Sequence, residues 1–77
     1  MGMTIKQNIR RYKIMEKHME LVKKGNYLAA RNLLRLLRDG HVRLGLGDAD
    51  FESEEFLESI GCPVHYGRGF YGATFHI

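Results

Sequence analysis

Ile5, Ile9, Tyr12, Met15, Met19 and Val22 recur every three or four residues, with Ile14 and Leu21 beside them. That spacing predicts a long amphipathic helix whose apolar stripe faces the core. Thr4 and Gln7 have the spacing of a capping box at its start, and Gly25 ends it. Asn26 is suited to cap a second helix over Tyr27 to Asp39, closed by Gly40. This helix is the most apolar element, through Tyr27, Ala30, Leu33, Leu34, Leu36 and Leu37. The two-residue link predicts that the helices pack as an antiparallel hairpin.

Beyond Gly40 the period changes to two. Val42, Leu44 and Leu46 alternate, predicting a strand over His41 to Leu46 with all three on one face. Phe51 to Ile60 reads as a short helix capped by Asp50 or Ser53, with Glu52, Glu54 and Glu55 near its N-terminal end and Phe56, Leu57 and Ile60 inward. The C-terminus alternates again. A hairpin that turns Val64 and Tyr66 to the same core as Ala73, Phe75 and Ile77 must pair Tyr66 with Ala73 and Val64 with Phe75, since a one-residue slip exposes one set. This register leaves Arg68-Gly69-Phe70-Tyr71 as a four-residue loop. The expected fold is α+β, in the order α-α-β-α-β-β. A helical hairpin (residues 4–40) packs on a small three-stranded antiparallel or mixed sheet, with a wing-like β-hairpin at the end of the second segment (41–77).

Seventy-seven residues make one domain with a thin core. No apolar run approaches a bilayer span, there is no secretory h-region, and one cysteine, Cys62, forms no internal disulfide. A cytoplasmic location is expected. Charge changes the picture more. Residues 1–45 carry eleven Lys and Arg against three acids, a net of +8; residues 46–77 carry one Arg against six acids, a net of −5. Lys6, Arg10, Lys13, Lys17 and Lys24 form a basic flank beside the first helix's apolar stripe, taken to face solvent. Arg31, Arg35 and Arg38 line the polar side of the second helix. Such a surface suits an acidic partner, or an attraction between the two halves within the molecule or between copies.

Candidate chemistry is sparse. RGFYGATF (68–75) resembles in part the octapeptide of RNA-recognition-motif proteins: Arg68, Gly69, Phe70 and Phe75 match, whereas Tyr71 and Gly72 depart, and the first strand lacks the companion aromatics. It reads as the tip and return strand of a hairpin, with Arg68, Phe70 and Tyr71 as an aromatic-plus-arginine anchor for a partner. The terminal hairpin also resembles the wing of winged-helix proteins, without the DNA-reading helix that family places before it. Residues 25–31 resemble part of a helical-hairpin repeat, but no second copy of the unit exists.

Cys62, His65, His76 and His41 lack the paired spacing of a zinc site, so no metal is expected. No cofactor is expected either. No phosphate loop or nucleophile pair is evident, and so thin a domain leaves little room for a pocket of about 300 Å³. The expected function is that of a non-enzymatic regulator or inhibitor, similar in size to those of phages and mobile elements. It would dock on a protein or nucleoprotein assembly with an acidic surface, through Lys6, Arg10, Lys13, Lys17, Arg31, Arg35, Arg38, Arg68, Phe70 and Tyr71. The alternatives are direct, sequence-independent nucleic-acid binding and a homo-oligomer, such as a homodimer, joined by its acidic and basic halves. A membrane partner is not expected, because the apolar stripe is assigned to the core.

Overall fold

The structure, a computed structural model, describes residues 2–67 and 72–77. Its elements are α1 (Ile5–Lys24), α2 (Tyr27–Asp39), β1 (His41–Gly45), α3 (Phe51–Ser59), β2 (Val64–Tyr66) and β3 (Gly72–His76). The order is the expected α-α-β-α-β-β, and the class is α+β. The Arg68 to Tyr71 loop, with its expected anchor of Arg68, Phe70 and Tyr71, lies outside the described residues.

Local chemistry sets the helix ends. Thr4 Oγ1 accepts from the Gln7 N–H at 3.1 Å while Gln7 Oε1 accepts from the Thr4 N–H at 2.9 Å, so the capping box satisfies two orphan donors. Gly25 closes α1 at φ 89° and Gly40 closes α2 at φ 80°, left-handed positions that disfavour a side chain. Asn26 Oδ1 accepts from the Ala29 N–H at 3.3 Å. Of the two candidate caps for α3, Asp50 takes the role: its Oδ1 accepts from Glu52 at 2.9 Å and Ser53 at 3.1 Å. Ser53 is instead buried one turn in, donating its hydroxyl to the Asp50 carbonyl at 3.0 Å.

The sheet is antiparallel throughout, in the order β1-β3-β2. Val64 pairs with Phe75 and Tyr66 with Ala73, the register that alternation requires. The C-terminal strand is therefore central, with Val42 opposite Phe75 and Leu44 opposite Ala73 on its other side. At the end of this ladder Gly45 faces Gly72; a Cβ on Gly72 would run into the Leu44 carbonyl oxygen. The core gathers Val42, Leu44, Ala73 and Phe75 from the sheet, Leu57 from α3, Cys62, and Ala29, Ala30, Leu33, Leu36 and Leu37 from α2.

From α1 the buried residues are only Ile14 and Leu21. Here the structure corrects the sequence reading. Ile5, Ile9, Tyr12, Met15, Met19 and Val22, expected to face the core, are all exposed, Ile5 by 78%. In α2, Tyr27 and Leu34 are exposed as well. Two further residues expected inward point outward. Leu46 falls beyond the end of β1, and Tyr66 is exposed at the end of the short edge strand β2.

Leu33 and Leu34 therefore separate burial from composition. Leu33→Ala should lower unfolding free energy by about 2–5 kcal/mol, whereas Leu34→Ala should cost less than about 1 kcal/mol. Urea denaturation of the two variants checks this; equal losses would show that Leu34 belongs to the core.

Candidate interaction surface

Successive helical residues turn by 100°, so the six exposed apolar residues of α1 occupy an arc centred roughly 160° from Ile14 and Leu21. The helix carries two apolar faces, and the larger one points away from its own domain. His18 Nδ1 donates to the Ala30 carbonyl at 2.8 Å, tying the middle of α1 to the first half of α2. That tie fixes the hairpin's levels. Val22 stands level with Tyr27 and Met15 with Leu34, so the exposed residues of both helices lie along one outer face. At its N-terminal end a shallow depression of about 310 Å³ is lined by Ile5, Asn8, Ile9, Tyr12 and Lys13. Depressions of the volume expected to be lacking are thus present, but they are open hollows on the helix surface.

The basic residues divide into two groups. Lys17, expected to face solvent, is largely covered: its ammonium lies 3.4 Å from Glu20, 3.6 Å from Glu52 and 5.7 Å from the Phe56 ring centre. Lys24 meets Glu52 at 2.8 Å. Arg31 and Arg35 both reach Asp48, at 3.0 and 3.8 Å, and Arg38 holds Asp39 at 2.9 Å. Contacts to Asp48 and Glu52 join the basic first half to the acidic second half, so part of the charge asymmetry is neutralised inside the molecule. Lys6, Arg10 and Lys13 are in no ion pair among the described residues. Arg10 is half-buried beside Lys6, Ile9, Ile60 and Gly61, in a groove of about 240 Å³.

Sequence reasoning missed the anchor between α2 and the loop after β1. Asn32 is fully buried and donates from Nδ2 to the Asp48 carbonyl at 2.7 Å, leaving its Oδ1 with no hydrogen-bond partner. A polar residue between Arg31 and Leu33 gave no signal, because its partner is a backbone carbonyl distant in sequence.

The sheet's outer face collects imidazoles. His41 lies opposite His76, with ring centres 6.0 Å apart, and His65 stands edge-on to His76 at 5.1 Å. Among the described residues no group of three His, Cys, Asp or Glu is arranged to hold a metal ion. Burial pushes the Cys62 thiol above its ordinary value, with Arg10 opposing weakly, and so disfavours the thiolate a nucleophile needs. Among the described residues no helix is long and apolar enough to cross a membrane.

No known protein family, curated protein or solved structure matches this chain. The surface must be read on its own chemistry.

The Lys24 hydrogen bond, then that of Asn26, holds the Glu52 carboxyl below its usual range; Lys24 is correspondingly raised. A depressed carboxylate stabilises the fold above its unfolded pKa and loses that contribution as pH falls through the folded value. Glu52→Gln should therefore melt below the parent at neutral pH, and the gap should close on acidification. Thermal scans across the acid range measure it; a gap independent of pH would remove Glu52 from this role.

Proposed function

We propose that this chain is a small non-enzymatic regulatory protein that acts by binding protein, with the outer face of its helical hairpin as the docking surface. The observation that carries the reading is the exposure of Ile5, Ile9, Tyr12, Met15, Met19, Val22, Tyr27 and Leu34 along one face. Eight large side chains, each more than two-fifths exposed, are more than the singly scattered apolar residues normal on a monomer's surface and mark an interaction site. Tyr and Met are residue types enriched at interface centres. Lys6 and Lys13 border this face and favour a partner with acidic groups opposite them. Nucleic acid is the weaker reading, because Lys17, Lys24, Arg31, Arg35 and Arg38 are engaged by acids of the same chain. A cytoplasmic location belongs to the same reading, since the lone thiol suits a reducing compartment.

A benzophenone amino acid at Met15 tests the face in cells that make the protein. Irradiation should give discrete protein adducts. The same probe at Phe51, exposed and apolar but on α3, should give none. Equal labelling at both positions, or none at Met15 in a folded variant, overturns the proposal.

A further inference from the structure

We infer that the occupant of this face is a second copy of the chain, its α1 lying antiparallel across the first α1 to form a four-helix bundle. The inference rests on the docking reading above and names the partner. Ile5, Tyr12 and Met19 are seven residues apart, as are Asn8, Met15 and Val22. These two sets, offset by three, are the a and d positions of a heptad seam, the pattern that lays one helix along another.

The seam is complementary to its own reverse. With two copies antiparallel about a twofold axis level with Lys13 and Ile14, each a position meets a d position. Ile5 then faces Val22 of the second copy, Asn8 faces Met19, and Tyr12 faces Met15. The depression lined by Ile5, Asn8, Ile9 and Tyr12 receives the Met19 and Val22 side chains of the second copy. An isologous contact of this kind is the commonest route to a closed dimer.

Charge selects the antiparallel arrangement. The first half of α1 carries Lys6, Arg10, Arg11 and Lys13 with no acid, a net of +4, whereas the second half carries Lys17, Lys23 and Lys24 against Glu16 and Glu20, a net of +1. Antiparallel pairing sets the more basic half of each copy beside the less basic half of the other. Parallel pairing would set the two +4 halves side by side, a like-charge penalty. The twofold axis also stacks α2 on α2. Leu34, level with Met15, then meets its own copy near the axis, which accounts for a leucine left half outside the core.

Two measurements decide it. Sedimentation over a wide micromolar concentration range should give twice the protomer mass. Tyr12→Glu and Met15→Glu should each give a single protomer with the parental helical circular dichroism. Direction is read by disulfide trapping in a Cys62→Ala background, mixing Ile5→Cys chains with Val22→Cys chains. The two chain types should cross-link to each other rather than to themselves. A protomer mass for the parent at every concentration overturns the inference, as does self-linking of Ile5→Cys chains. So does retention on anionic phospholipid vesicles by a parent that stays monomeric. If the parent is monomeric while the probe at Met15 still labels another protein, the docking reading stands and only the second copy falls. If neither a dimer nor an adduct forms, both fall.

Discussion

The other two helices and the first strand pack around α2. It lies against α1, β1 and α3, and it supplies Ala29, Ala30, Leu33, Leu36 and Leu37 to the shared core. The strands have five, three and five residues, so the sheet extends about 17 Å along its longest strands, whereas the twenty residues of α1 extend about 30 Å. A domain of that size covers only a strip of the longer helix. Ile14 and Leu21 fill that strip. The apolar residues on the other side of α1 face away from the domain and have nothing to bury against.

This size mismatch explains which parts of the fold were legible in the sequence. Helix ends were, because Thr4, Asn26, Asp50, Gly25 and Gly40 act on backbone groups within a few residues. The hairpin register was, because alternation leaves a single pairing that turns both Val64 and Phe75 to the core side. The facing of α1 was not. Periodicity measures which side of a helix is more apolar, and here the more apolar side is the outer one. Ile14 and Leu21, flanked by Gln7, Arg10, Lys17 and His18, looked like the margin of a stripe rather than its own core contact. Leu34 failed for the same reason: composition made α2 apolar around more of its circumference than one domain covers.

Of the candidate site, the charges were legible as a pattern and not as contacts. Asp48 and Glu52 lie far along the chain from the cations they meet, yet the loop after β1 and the first turn of α3 return them to the hairpin. These exposed pairs contribute little individually to stability. Their consequence is electrostatic: they neutralise Lys17, Lys24, Arg31, Arg35 and Arg38 and leave Lys6, Arg10 and Lys13, at the N-terminal half of the helix that carries the outer apolar face, outside any ion pair among the described residues. Charge and apolar surface thus converge on the same element from separate causes.

A thin core and a large outer face belong to one physical situation. A chain of this length buries a modest fraction of its surface, and eight large apolar or aromatic side chains left in water are stabilisation forgone. Covering that face with protein recovers it, and the recovered term appears in the measured stability as a dependence on partner concentration. For a self-complementary face the partner concentration is the protein's own, so folding and association become linked through α1. The His41, His65 and His76 side of the sheet lies on the opposite layer from the hairpin's outer face and stays accessible when that face is covered. Association through the helices therefore leaves the sheet as the surface each molecule still presents.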